Sequence, residues 1–217
     1  MNISDNLNTL LQSLPSHVTL VAVSKTKPLE DLKAVYNTGH RIFGENKVQE
    51  LVSKWEALSK DIQWHMIGHL QRNKVKYIAP FVHLIHGVDS ERLLKEIDRQ
   101  AAKNNRKIPC LLQIHIAQES TKFGLSDSEL EKILSEKETY PNIVFKGLMG
   151  MASFTSNLQQ VSEEFAFLKA LYDRAAAKME TFDTLSMGMS GDYELAIAQG
   201  STMIRVGSKI FGERNYS

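Results

Sequence analysis

Apolar residues Ile3, Leu7, Leu10, Leu11 and Leu14 recur at helical spacing, and Pro15 ends the pattern just before the β-branched run VTLVAVS begins at Val18. This predicts a helix followed by a buried strand. Pro28 suits the first position of a second helix, whose apolar face is Leu29, Leu32, Val35 and Tyr36 and whose C-terminal cap is Gly39. A strand is then expected from His40 to Gly44. Val48, Leu51, Val52, Trp55 and Leu58 form the next helical stripe, followed by the strand IQWHMIG, a helix near Asn73 to Ala79 and the strand VHLIHGV. Asp89 is the capping candidate for a helix carrying Leu93, Leu94, Ile97 and Ala101, and IPCLLQIHI is the fifth strand.

The alternation continues. Ser126 and Glu129 have the spacing of a capping box for a helix running to about Lys137, and IVFKGLMG is a sixth strand. Val161, Phe165, Leu168, Tyr172 and Ala175 form the strongest helical stripe. TLSMG is strand seven, a short helix spans about Tyr193 to Ala198, TMIRVGS is strand eight, and KIFGERNYS reads as a tail. Eight mostly continuous apolar strands alternating with helices predict a parallel sheet covered by helices. The expected fold is α/β, a single (β/α)8 TIM barrel over residues 1–217 with an extra N-terminal helix; an open doubly wound sheet is the rival.

Composition narrows the function classes. With 26 basic and 25 acidic side chains in 217 residues, the net charge of +1 provides no long-range field toward nucleic acid or an anionic membrane. Cys110, the single cysteine, sits in an apolar run and reads as a buried hydrophobe, so no internal disulfide is expected. The first residues lack the pattern of a secretion signal, and no run of about 20 apolar residues occurs. A cytoplasmic location is the expectation.

In either fold, ligands bind at the carboxyl ends of the strands, where this chain concentrates glycines, methionines and polar groups. Lys25 follows Val21 and Val23 at period two, so it shares their direction, which in a barrel is the interior. Desolvation and cations such as Arg205 or Lys122 would favour a neutral amine able to form a Schiff base with an aldehyde. A solvated lysine at a strand end is the alternative. Gly188, Ser190 and Gly191 precede a helix and could hold a phosphate, or could be simple turn residues, with Asp192 repelling an anion unless turned away as a cap. Arg205 lies on one face with Met203. It can only donate hydrogen bonds, which suits an unprotonated pyridine nitrogen; a salt bridge to Glu45 is its other reading. The spacings of His65 and His69, and of His83 and His86, do not favour a metal site. His65 reads as a strand-end pocket residue or a core histidine.

In order along the chain, VAVSKTKP around Lys25, IFGENKVQE (42–50), WHMIGHLQRNK (64–74), ESTKFG (119–124), GLMGM (147–151), LSMGMSGD (185–192) and IRVGSKIFGER (204–214) resemble the YggS/PROSC family, the pyridoxal phosphate homeostasis proteins. The resemblance spans essentially the whole chain. It implies a fold-type III barrel like the N-terminal part of alanine racemase, with pyridoxal 5'-phosphate (PLP) on Lys25, phosphate near Ser190, Gly191, Gly207 and Ser208, Arg205 at the ring nitrogen, and Asn46 and His65 in other pocket motifs. Lys122 is a weaker candidate near the cofactor's phenolic oxygen.

Two functions follow from this resemblance. The first is a non-catalytic protein that buffers PLP and delivers it to PLP-dependent apo-enzymes, expected to be a monomer. The second is a PLP-dependent racemase. Racemases resembling this barrel add a C-terminal domain supplying a tyrosine, whereas this chain ends about nine residues after its last expected strand, which favours the carrier. An unprotonated ring would also stabilise a carbanion poorly. A cofactor-free Schiff-base aldolase is a third class.

Overall fold

In a computed structural model that describes residues 2–118 and 123–212, eight parallel strands close into a barrel in sequence order. The strands are β1 (Thr19–Val23), β2 (Ile42–Glu45), β3 (Gln63–Met66), β4 (Leu84–Val88), β5 (Ile108–Gln113), β6 (Ile143–Met149), β7 (Thr184–Met189) and β8 (Met203–Val206). The rival open sheet is excluded by the pairing of β1 with β8, in which Val21 lies opposite Arg205 and Ala22 opposite Val206. Alternation along each strand divides the apolar residues into two cores. Val21, Ile67, Leu84, Leu111, Met149 and Met203 pack inside the barrel, while the larger core, including Leu20, Ala22, Phe43 and Trp64, lies between strands and helices.

The helices are α1 (Ile3–Ser13), α2 (Leu29–Asn37), α3 (Val48–Ala57), α4 (Val75–Ile78), α5 (Glu91–Lys103), α6 (Asp127–Ser135), α7 (Leu158–Ala176), α8 (Tyr193–Ala198) and α9 (Ser208–Phe211). The Ser126 capping box forms as its spacing predicts. Other boundaries differ for local reasons. Pro28 is the N-cap of α2 rather than its first residue, with an extended ψ of 161°. Ser90, not Asp89, caps α5 by accepting from the Leu93 N–H, and the Asp89 carboxylate bonds His69 Nδ1 at 2.9 Å instead. The helix expected over 73–79 is split into a 3-10 turn at Arg72–Lys74 and the single α-helical turn α4. β2 is displaced from 40–44 to Ile42–Glu45, bringing Glu45 into the sheet.

The expected tail begins with α9, which lies against α1. Asn6 Nδ2 donates to the Ile210 carbonyl at 3.1 Å, while Leu7 and Ile210 are both fully buried. α1 thus packs beside the helix that follows the last strand. Leu7→Ala removes a fully buried side chain from this layer and is expected to destabilise the fold by about 2–5 kcal/mol, measured by urea unfolding.

Candidate functional site

At the C-terminal mouth of the barrel, a cavity of about 400 Å³ is lined by Lys25, Asn46, Ser190, Gly191, Arg205, Gly207 and Ser208, with Val23, Ile67, Met151 and Met189 among its apolar walls. These are seven of the eight residues expected from sequence. The eighth, His65, is elsewhere: it lies within the barrel and borders a different cavity, of about 360 Å³, at the opposite mouth. Lys122 falls outside the described residues. In parallel barrels the chemistry sits at the C-terminal mouth, whose loops are free of the sheet's hydrogen bonding, so the first cavity is the candidate site.

Lys25 leaves β1 in a tight turn closed by a bond from Lys27 N–H to the Ser24 carbonyl at 3.1 Å. The next residue, Thr26, has a φ of 64°. For a β-branched side chain this left-handed conformation costs about 1–2 kcal/mol, strain held in place by the surroundings. Lys27 lines the cavity, and its ammonium donates to the carbonyls of Phe211 at 2.9 Å and Gly212 at 3.3 Å.

Two glycines shape the rim. A Cβ on Gly68 would come within 2.4 Å of the Asn46 carbonyl oxygen, so only glycine lets the β3 exit pass against Asn46 and leave that side chain at the cavity. Gly188 has a φ of 96°, turning the end of β7 toward Ser190. The Ser190 hydroxyl oxygen accepts from Gly207 N–H at 3.1 Å, tying the rim after β7 to the rim after β8. Asp192 is turned back, its carboxylate accepting from Met189 N–H at 2.5 Å.

Arg205 is 4% exposed and makes no salt bridge to Glu45. Its Nη1 donates to the Ser186 carbonyl at 2.9 Å and hydroxyl at 2.6 Å, and Nη2 donates to the Gly150 carbonyl at 3.0 Å. Three of its five N–H groups are thereby fixed, leaving two for the cavity. Burial lowers its pKa to about 10, partly opposed by the Asp192 carboxylate, so the group stays a cationic donor at neutral pH.

The chain of bonds continues inward. Ser186 Oγ lies 3.1 Å from His86 Nδ1, and His86 Nε2 lies 2.9 Å from His65 Nδ1. Because Arg205 can only donate to Ser186, we assign the serine proton to His86 Nδ1, which puts hydrogens on His86 Nε2 and His65 Nε2. Among the described residues His65 Nε2 has no partner. Burial lowers the pKa of His65 to about 3 and that of His86 well below its ordinary value, with their mutual repulsion and the Arg205 charge adding to the effect on His86. Both imidazoles are therefore neutral. His83 precedes β4 and stacks on His65 with ring centroids 5.6 Å apart.

Sequence reasoning missed His86 and Ser186 as supports of Arg205, and missed Lys54 and Glu50 beside the lysine turn. The signal for the second pair was present: Glu50 and Lys54 are four apart on one helix, a spacing that brings opposite charges together. Among the described residues no group of three or more His, Cys, Asp or Glu could hold a metal, and no helix is long and apolar enough to cross a membrane.

The family model for the alanine racemase N-terminal domain matches residues 1–215. A pyridoxal phosphate homeostasis protein of Aquifex aeolicus is 40% identical over 199 residues, 91% of this chain and 87% of that protein. Its counterpart in Escherichia coli K12 is 36% identical over 214 residues, 94% and 88% of the two chains. The chain belongs to the pyridoxal phosphate homeostasis protein family. A solved structure similar to this family member is PipY of Synechococcus elongatus PCC7942 with PLP bound, 33% identical with a TM-score of 0.89, covering 97% of this chain and all of that one. Alanine racemase from Bartonella henselae, at 18% identity and a TM-score of 0.74, shares the fold over 98% of this chain and 60% of its own.

The neutral histidine pair gives this family member an acid sensitivity. Their folded pKa values lie below the unfolded value of 6.5, so the unfolded chain binds more protons and stability is lost as pH falls from about 6.5 toward about 3. His65 contributes up to about 1.4 kcal/mol per pH unit across that window, and His86 acts in the same direction. Urea unfolding at several pH values should show this slope, and His65→Phe should reduce it.

Proposed function

We propose that the chain binds PLP at the C-terminal mouth of its barrel, holds it as a Schiff base on Lys25, and serves intracellular PLP homeostasis by buffering and delivery without catalysis of its own. The observation that carries this reading is the convergence in one cavity of an amine, a buried donor-only guanidinium and a polar rim built from Ser190, Gly191, Gly207 and Ser208. The names of the relatives and the PLP held by PipY support the choice of ligand.

The donor set fits the cofactor's functional groups. Lys25 supplies the nucleophile, which condenses with the aldehyde: a C=N bond replaces C=O, and the oxygen leaves as water. Arg205 offers its remaining N–H groups to a ring nitrogen that then stays unprotonated. The two serine hydroxyls and the glycine-rich backbone after β7 and β8 accommodate a phosphate: a Cβ on Gly191 would meet nothing within 4 Å, so this rim is open. Asn46 completes the wall from β2. His65 acts at one remove, through His86 and Ser186, on the position of Arg205.

PLP bound in this way supplies electrophilic chemistry, but this site is better suited to holding it. Proton transfer on two faces of a substrate needs two bases. Among the described residues that line the cavity, the titratable groups are Lys25, Lys27 and Arg205, all cationic in their protonated forms. A cationic donor that keeps the ring unprotonated also weakens it as an electron sink. PLP-dependent apo-enzymes are the proposed recipients, and a cytoplasmic monomer is the proposed working form.

Purified protein mixed with PLP should develop the visible absorbance of a Schiff base, and borohydride reduction should fix the cofactor on Lys25. Lys25→Ala should lose that band while keeping its unfolding midpoint. A reducible adduct on another lysine would overturn the assignment, and amino-acid racemisation well above background would restore the enzymatic reading. Arg205→Ala should weaken PLP retention by roughly tenfold or more, the value of one charge-assisted hydrogen bond, as measured by equilibrium dialysis.

A further inference from the structure

We propose that Lys54 and Glu50 are positioning residues for the amine of Lys25, clamping the peptide units on both sides of it. The inference rests on the reading of Lys25 as the PLP-binding lysine. The Lys54 side chain is 5% exposed, and its ammonium reaches three acceptors: the Ser24 carbonyl at 2.8 Å, Glu45 Oε1 at 2.8 Å and Glu50 Oε1 at 2.6 Å. An ammonium has three hydrogens, so its capacity is filled.

Each acceptor leads back to the turn. Ser24, immediately before Lys25, is held twice, since its hydroxyl also donates to Glu45 Oε1 at 2.6 Å. Thr26, immediately after Lys25, donates its N–H to Glu50 Oε1 at 2.6 Å. That N–H belongs to the residue with φ of 64°, so Glu50 holds Thr26 where its own side chain resists being held. Glu45 is fully buried, and burial pushes its carboxyl pKa up while the Lys54 ammonium pulls it down.

This arrangement goes beyond what stability asks. A buried ion pair is weak evidence of net stabilisation, because desolvation offsets most of the attraction. Here the pair's hydrogen bonds lead to the backbone on either side of one side chain, Lys25, which borders the ligand cavity. The clamp fixes where the amine emerges from β1. Misplacing a reacting group by about 1 Å lowers rates by roughly a hundredfold, so a loosened turn should be felt in the chemistry before it is felt in the fold.

The test measures the rate at which PLP, followed by borohydride, is trapped on Lys25, alongside the urea unfolding midpoint. Glu50→Ala frees the Thr26 N–H and should slow trapping by about tenfold or more. Adding Thr26→Gly should restore the rate, because glycine adopts positive φ without strain and needs no clamp, whereas it returns nothing to the Glu50–Lys54 ion pair. Glu50→Gln, which keeps the volume and an acceptor oxygen, should fold in any case and slow trapping less. Unchanged trapping in both Glu50 variants, or a rate that merely follows the midpoint with no rescue by Thr26→Gly, overturns the clamp. A wild-type protein that traps nothing on Lys25 overturns the functional reading itself, a result distinct from a wild type that traps and variants that do not differ.

Discussion

A guanidinium buried inside a barrel demands partners, and much of this interior is arranged around the one on Arg205. The demand is met by neutral oxygens, not by a carboxylate: two carbonyls and the Ser186 hydroxyl. A carboxylate partner would neutralise the cation and engage its donors, whereas carbonyls leave it both charged and partly unengaged. The same demand extends downward, since Ser186 needs an acceptor and finds His86, which in turn needs His65. Three polar residues on three strands are thus placed by one charge, and burial beneath that cation favours the neutral form of both imidazoles.

The fold was largely legible in the sequence because its strands are buried on both faces and therefore apolar throughout, while the helices show a different period. Boundaries were less legible. Asp89 and Ser90 both have capping chemistry, and only the presence of His69 across the loop decides which of them caps α5. The four residues of α9 are too few to display a helical period, so packing against α1 defines them. Within the site, residues announced by a motif converge, while His65 does not. A strand residue near a carboxyl end can belong to the rim layer or the layer below, and the alternation of side chains is the same for both. The place of Lys27 at the cavity was not legible, because nothing local reveals that the end of α9 returns to the exit of β1.

The two halves of the site differ in mechanical character. Arg205 is fixed from below by packed and hydrogen-bonded interior groups, whereas Lys25 is presented by a strained turn outside the sheet. Met189, 40% exposed at the rim, and the open space at Gly191 leave the mouth accessible. A hydrogen-bonded floor beneath an open mouth suits the proposed role, in which a ligand is held and later released: the floor would set its orientation and the loops its entry and exit.

The seam between β1 and β8 has a further consequence. These neighbours in space, with Val21 beside Arg205, are separated by nearly the whole barrel in chain order. During synthesis the lysine emerges well before the guanidinium and the serine-glycine rim that complete its surroundings. A nascent chain therefore carries its amine without a site around it until those later residues follow. Ligand capture of the kind proposed would report that the barrel has closed, and a ligand so captured would add its binding free energy to the seam that joins the first strand to the last.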